Sequence, residues 1–130
     1  VMIMISVLPV KDGNKVKKLF CRHKREYNDI SFAVAATDNG TILGYGLYYL
    51  EESKMTILEI EPEKDLALAD GVLRSTIHNA VFKNIMMVKY DENSPVELFK
   101  KLNFILNEEE KTLNVNKLFE SCCSCQDKNA

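Results

Sequence analysis

The sequence predicts a single α+β or α/β domain in which helices flank a mixed central β-sheet. Asn39 and Gly40 separate two apolar, β-prone runs and predict an antiparallel hairpin, because a type I′ turn needs positive φ at both central residues. Strand, helix and strand patterns follow one another between Met55 and Tyr90, which predicts a right-handed parallel crossover. A sheet that contains both kinds of pairing is mixed.

The composition is that of a globular protein. The chain has 130 residues, of which 46% are hydrophobic and 28% charged, and we expect one domain over residues 1–120 and a short tail over residues 121–130. The formal net charge of −2 gives no reason to expect binding to nucleic acid or to an anionic membrane. Since we find no apolar run long enough to span a bilayer and no secretion signal, we expect a cytoplasmic protein.

The predicted strands are apolar runs bounded by turn residues. They cover residues 3–8, 32–37, 41–50, 55–61 and 85–90, and a closing hairpin lies between residues 105 and 115. Gly44 and Gly46 predict a bulge or a close backbone approach within the third strand. In the fourth strand, strict alternation predicts that Ile57, Glu59 and Glu61 share one face, opposite Leu58 and Ile60.

Apolar residues at helical spacing predict three helices. They cover residues 11–25, residues 66–82 and the segment that begins at Ser94-Pro95. Asp65 is the predicted N-cap of the second helix, and Ser94 caps the third with Pro95 at its favoured first position. The cations of the first helix, which include Arg22 and Arg25, are expected to form a solvated face.

Two short segments carry a family resemblance. Residues 42–45 read Ile-Leu-Gly-Tyr, and residues 98–104 read Leu-Phe-Lys-Lys-Leu-Asn-Phe. In this order and spacing the chain resembles the GNAT-type N-acyltransferases, which transfer an acyl group from acyl-CoA to an amine. The resemblance extends over residues 3–115 and is most specific over residues 32–104.

The resemblance implies a fold and a ligand. The fold is a GNAT-like mixed sheet of six or seven strands, in which the strands before Pro62 and Asp91 lie parallel and splay apart into a V-shaped cleft. The implied small-molecule ligand of that cleft is acetyl-CoA or another acyl-CoA. The residues that the resemblance places against this cofactor are Ile60, Asp65, Leu66, Ala67, Leu68, Ala69, Asp70, Gly71, Asn93 and Phe99.

Several of these positions depart from the family pattern. The family binds the CoA pyrophosphate with a cation and two glycines before a helix, where this chain has Asp65, Leu68 and Asp70. A carboxylate about 4 Å from a phosphate costs about 4 kcal/mol at an effective dielectric constant of about 20, close to a thousandfold in affinity. Phe99 stands where the family usually has a tyrosine that protonates the CoA thiolate, and phenylalanine cannot donate that proton.

Glu59 and Glu61 are the candidate catalytic residues. On its fourth strand the family often holds a carboxylate that deprotonates the acceptor amine through water, and such a base needs a pKa raised by burial. The alternative is that two glutamates at a spacing of two form the solvated face of a half-exposed strand.

Cysteines elsewhere suggest a separate chemistry. Cys122, Cys123 and Cys125 form a candidate soft-metal site, for a metal of unknown identity, or a redox-active tail. Their spacing is not that of a zinc finger, and the alternative is exposed thiols in a polar terminus. Cys21 lies near His23 in sequence, but no oxyanion motif accompanies them and we expect no nucleophile there.

Three hypotheses about function therefore stand after the sequence. The first is an acyltransferase-like protein that uses acyl-CoA with weakened or unusual catalysis and with Glu59 or Glu61 as base. The second is a GNAT fold retained as a non-catalytic ligand-binding or regulatory module. The third is a thiol or metal function of the cysteine-containing tail.

Overall fold

The computed structural model describes residues 5–119. The strands are β1 (Ser6–Pro9), β2 (Ser31–Asp38), β3 (Thr41–Leu50), β4 (Lys54–Glu61), β5 (Met87–Tyr90), β6 (Ile105–Asn107) and β7 (Thr112–Leu113). The helices among these strands are α1 (Gly13–Arg22), α2 (Leu66–Phe82) and α3 (Val96–Lys101). Apolar residues at helical spacing bury one side of α1 and of α2, and alternating apolar residues build the strands.

Within these residues the strands form one mixed sheet in the order β1-β2-β3-β4-β5-β7-β6. The β4–β5 pair is parallel and the β2–β3 hairpin is antiparallel, as the sequence predicts, and the other neighbouring strands are antiparallel too. β4 pairs with β5 from Lys54 to Ile57 only, and its remaining four residues, as far as Glu61, pair with β3 alone. The predicted parallel pairing of these two strands is therefore confirmed, and β4 continues past the end of β5.

The predicted hairpin and glycine contacts are also confirmed. Asn39 and Gly40 both have positive φ, at 52° and 82°. A Cβ atom on Gly44 would lie 2.6 Å from the carbonyl oxygen of Glu61, and one on Gly46 would lie 2.6 Å from the Thr76 hydroxyl of α2. Glycine thus allows β3 to lie close to β4 and α2.

A β-bulge changes the predicted faces of β4. Leu47 pairs with Glu59 and Tyr48 pairs with Ile57, so Leu58 is an extra residue without a partner in the register. Ile57 therefore packs in the core cluster beneath α2, whereas Leu58 packs in the cluster beneath α1. The prediction that Ile57 shares a face with Glu59 and Glu61 is wrong, because alternation is interrupted at the bulge.

The predicted cap of α3 is also wrong. Pro95 occupies the N-cap position and makes no side-chain capping bond. The Ser94 hydroxyl instead accepts from the backbone N–H of Asp91 and donates to the carbonyl oxygen of Ile57. Ser94 therefore joins the start of α3 to β4, where the two parallel strands separate.

The described helices have no membrane-spanning segment. Within residues 5–119, none of them combines the length and the apolar composition that crossing a bilayer requires.

Candidate functional site

The pairing of β4 with β5 ends at Ile57, and β4 continues beyond it to Glu61. At this point the carbonyl oxygens of Ile57 and Leu58 both accept hydrogen bonds from side chains of the same chain. Ser94 donates to Ile57 at 2.8 Å, and the Arg25 guanidinium donates to Leu58 at 3.1 Å. Side chains of the chain itself thus bond the β4 carbonyls where the pairing with β5 ends.

Arg25 forms a fork between the two strands. Its Nε donates to Glu59 at 2.9 Å, and its two terminal nitrogens donate to the carboxylate of Asp91 at 2.6 and 3.2 Å. The Arg25 side chain is 9% exposed and that of Glu59 is 12% exposed, so this is a largely buried network. Burial opposes the charge of Arg25, but hydrogen bonds from its guanidinium to Asp91 and Glu59 outweigh that effect and raise its pKa.

Asp91 is the more exposed member of this network. Burial acts to raise its pKa, but hydrogen bonds from Arg25 and Ser94 outweigh burial and lower it below the ordinary value. The bidentate arrangement fixes the guanidinium plane as well as its position, because two parallel N–H groups meet two carboxylate oxygens.

The bulge in β4 brings both candidate catalytic glutamates beside the end of α1. One Nδ1/Nε2 atom of His23 and one carboxylate oxygen each of Glu59 and Glu61 all lie within 4.8 Å of one another. The His23 Nδ1 atom is 3.7 Å from Glu59 Oε1, and its Nε2 atom is 2.7 Å from the Tyr45 hydroxyl. Glu59 and Glu61 are therefore half-buried members of one cluster and not a solvated strand face.

Glu61 borders an open cavity of about 430 Å³, which is also lined by Arg22, Tyr45 and Pro62. Burial raises the pKa of Glu61, and the negative charge of Glu63 adds to that effect, whereas His23 opposes it. Among residues 5–119, no cation lies within 4 Å of the Glu61 carboxylate to form an ion pair.

The start of α2 is the other end of the candidate site. The Asp65 carboxylate accepts from the backbone N–H of Leu68 at 3.2 Å, which confirms Asp65 as the N-cap. Asp70 forms an ion pair with Arg74, one turn further along the helix, at 2.9 Å. The Leu68 N–H group at the start of α2 and the nearby Arg74 cation are thus already paired with the carboxylates of Asp65 and Asp70.

The other residues predicted to contact a cofactor are dispersed. Ile60, Ala69 and Phe99 are fully buried in the core beneath α2. Leu66 and Asn93 are exposed at separate places. Ala67, Leu68 and Gly71 line a mainly apolar open groove, about 700 Å³ in volume, between the start of α2 and β1. Gly71 lies inside α2, and a Cβ atom there would meet open space, so no described contact requires glycine.

These observations test whether acyl-CoA fits the site. In the placement that the family resemblance implies, its pyrophosphate would lie at the start of α2, where Asp65 and Asp70 carry carboxylates, and its acyl end beside β4, where Arg25 bonds the Leu58 carbonyl. The Phe99 ring contacts the Tyr90 ring, with 5.4 Å between their centroids, and carries no acidic proton. The residues present do not fit this cofactor.

Four residues around the candidate catalytic glutamates are not among the site residues that the sequence predicts, namely Arg25, Asp91, His23 and Tyr45. Arg25 and Asp91 lie 66 positions apart, and the sequence predicts Arg25 on a solvated face. His23 and Tyr45 lie 22 positions apart, and no sequence pattern joins them. Because these contacts join distant segments, no local periodicity reveals them. The tail cysteines Cys122, Cys123 and Cys125 lie outside the described residues.

Comparisons with known proteins agree with this fold. The structure is similar to ribosomal-protein-alanine N-acetyltransferase from Brucella melitensis biovar Abortus 2308, with a TM-score of 0.56, 10% identity, and coverage of 76% of this chain and 90% of that one. A GNAT-family acetyltransferase from Desulfovibrio desulfuricans gives a TM-score of 0.55 at 13% identity, with 77% and 83% coverage. Ard1 from Thermoplasma volcanium gives 0.51 at 12% identity, with 83% and 92% coverage.

These likenesses concern the fold alone, since every identity is below 15%. No protein-family model matches the sequence, and no curated protein matches it either. The chain therefore has the α+β fold of GNAT acetyltransferases, as the resemblance implies, on a sequence far from those three proteins.

Proposed function

We propose that this chain is a GNAT-fold binding module for a small cationic ligand, and not an ordinary acyl-CoA-dependent transferase. The observation that carries the proposal is the position of Arg25 between β4 and β5, where it bonds Leu58, Glu59 and Asp91. A donor that entered beside β4 at this point would have to displace a largely buried guanidinium that makes four hydrogen bonds.

The start of α2 supports the same conclusion. Asp65 caps the helix and Asp70 adds a second carboxylate, so a pyrophosphate would meet two negative charges there. Each carboxylate about 4 Å from a phosphate costs about 4 kcal/mol at an effective dielectric constant of about 20. The donor half of the cleft therefore opposes CoA at both of its ends.

The face beneath α1 favours a cation instead. Within residues 5–119 the Glu61 carboxylate has no ion-pair partner, and it borders an open cavity of about 430 Å³. Glu59 and His23 lie beside it in the same cluster. A monovalent cation about 4 Å from one carboxylate gains about 4 kcal/mol at an effective dielectric constant of about 20, before it loses its own hydration.

Calorimetric titration with acetyl-CoA tests the donor half. We expect no saturable heat at millimolar cofactor, and saturable binding in that range would overturn the proposal. Thermal melting with small amines and divalent cations tests the other half, in the wild type and in Glu61→Gln. We expect stabilisation that the variant loses, whereas equal stabilisation of both proteins would contradict a site at Glu61.

The second candidate is an N-acyltransferase with weakened catalysis, in which Glu61 takes the proton of an amine acceptor. The fold shared with three acetyltransferases and the position of Glu61 on β4, beside an open cavity, favour this candidate. It requires acetyl-CoA-dependent acylation that Glu61→Gln abolishes and Glu63→Gln retains. Absence of turnover in the wild type would exclude it.

A further inference from the structure

We propose that His23, Glu59 and Glu61 form a binding site for a divalent transition-metal ion of the zinc type. This inference rests on the proposed function, because it names the cation that the site takes. The three side chains come from two segments, and one donor atom of each lies within 4.8 Å of the others.

The donor set suits such a metal. One imidazole nitrogen and two carboxylate oxygens are ligands that Zn²⁺ accepts, and an open coordination position leaves room for water or another ligand. Two ligand atoms of tetrahedral zinc lie about 3.4 Å apart, given metal–ligand bonds of about 2.0–2.1 Å. The observed 3.7 Å between His23 Nδ1 and Glu59 Oε1 needs a movement of only a few tenths of an ångström.

Outer contacts hold two of these ligands in a suitable orientation. In the tautomer with its proton on Nε2, His23 donates to the Tyr45 hydroxyl at 2.7 Å, and the Nδ1 lone pair then faces Glu59. Arg25 Nε donates a hydrogen bond to Glu59 Oε2 at 2.9 Å, so Oε1 is the carboxylate oxygen that lies near His23. Metal-binding histidines and carboxylates are commonly fixed by such second partners.

The backbone and the local charge agree with this assignment. Because the bulge lies before Glu59, ordinary alternation keeps Glu59 and Glu61 on one side of β4, near His23, the residue that follows α1. The carboxylates of Glu59, Glu61, Glu63 and Asp91 are opposed by the guanidiniums of Arg22 and Arg25.

The cavity beside Glu61 provides access for the ion. Its volume of about 430 Å³ is ample for a hydrated ion, and among the three proposed ligands Glu61 lines it. A coordination position on that side would remain free for water or for a ligand. A protonated His23 that forms an ion pair with Glu59 is the competing explanation of the 3.7 Å contact.

Titration of the full-length protein with Co²⁺, followed by visible absorption, separates these explanations. Cobalt bound by nitrogen and oxygen gives d–d bands without the charge-transfer absorption of a thiolate ligand, so the tail cysteines cannot be mistaken for this site. We expect such bands to saturate in the wild type. His23→Ala should weaken binding by at least about tenfold, and Tyr45→Phe by about tenfold.

His78→Ala is the matched control, because His78 is exposed on α2 and away from the cluster. It should bind Co²⁺ like the wild type, and melting curves should show that each variant is folded. Loss of the bands in His23→Ala but not in His78→Ala supports the site.

The proposal is overturned by absence of d–d bands, by thiolate charge transfer that survives His23→Ala, or by equal binding in both histidine variants. The proposed function fails by a different result, namely saturable binding of acetyl-CoA. If the protein binds neither Co²⁺ nor acetyl-CoA but is stabilised by small amines, the metal-site proposal is rejected and the proposed function is retained.

Discussion

The two ends of the candidate site are both occupied by charged side chains of the chain itself, but in physically different ways. At the start of α2, Asp65 makes one exposed capping bond and Asp70 makes an ion pair within one helix. Where the pairing of β4 with β5 ends, Arg25 joins its own segment to β4 and to Asp91 in a largely buried network. The first end depends on local contacts and the second on the tertiary fold.

This difference indicates which end of the site excludes an acyl donor more strongly. An exposed cap contributes about 1 kcal/mol, so a ligand could displace it at modest cost. A buried ion network resists loss of one partner much more strongly, because the remaining charges are left in a poorly solvated place. We therefore infer that the Arg25 network, more than the α2 end, excludes an acyl donor.

The largest expected effect is that of Arg25→Ala on the free energy of unfolding. The substitution leaves Glu59 and the Leu58 carbonyl without their partner, and we expect a loss of about 3 kcal/mol. Urea unfolding measures this loss. The matched control is Lys18→Ala, which removes an exposed cation of α1 and should change the unfolding free energy by no more than about 0.5 kcal/mol. Arg25→Lys keeps the charge but not the forked set of hydrogen bonds, so its loss of stability should lie between those of the two alanine variants.

Equal stability of Arg25→Ala and Lys18→Ala would remove the distinction between the two ends of the cleft. The Arg25 network would then be an ordinary surface ion pair, of the kind that contributes little to stability.

The sequence predicts one of these ends better than the other. The Asp65 cap and the Asn39–Gly40 turn follow from residues a few positions apart, and the structure confirms both. Arg25 meets Glu59 over 34 positions and Asp91 over 66, and nothing in its own segment distinguishes it from the solvated cations around it. The bulge at Leu58 is likewise set by pairing with β3.

A second, smaller effect compares two glycines. Gly46→Ala should destabilise the protein by about 1–3 kcal/mol, because its Cβ would lie 2.6 Å from the Thr76 hydroxyl and 3.1 Å from Ile60. Gly71→Ala should instead stabilise it by about 0.5–1 kcal/mol, because the new Cβ meets open space inside a helix. Thermal melting of both variants measures the contrast.

Destabilisation by Gly71→Ala would contradict our description of the α2 end. It would mean that the first turns of this helix still need a bare backbone, as a phosphate-binding loop does.

The third effect concerns the cap itself. Asp65→Ala should cost about 1 kcal/mol, because the N–H of Leu68 loses its acceptor. Asp65→Asn should cost only a few tenths, since asparagine caps equally well while it removes the charge. Unfolding of the two variants in parallel therefore separates capping from charge. Equal losses would show that the charge of Asp65 has a role that the contacts do not explain.

The smallest effect is the pH dependence of the Arg25–Asp91 pair. The folded-state pKa of Asp91 is lowered, so its contribution to stability is present above the ordinary aspartate pKa and is lost as pH falls through the lowered value. Glu61 acts in the opposite direction, because its raised pKa gives a contribution that is present below the ordinary glutamate pKa and lost as pH rises through the raised one. Since the Asp91 side chain is 37% exposed, solvent screens its ion pair with Arg25 and the effect on stability is modest.

The measurement is the unfolding free energy as a function of pH. As the pH is lowered, this free energy should fall less steeply in Asp91→Asn than in the wild type, and more steeply in Glu61→Gln. A profile unchanged by Asp91→Asn would show that this part of the network contributes nothing to the fold.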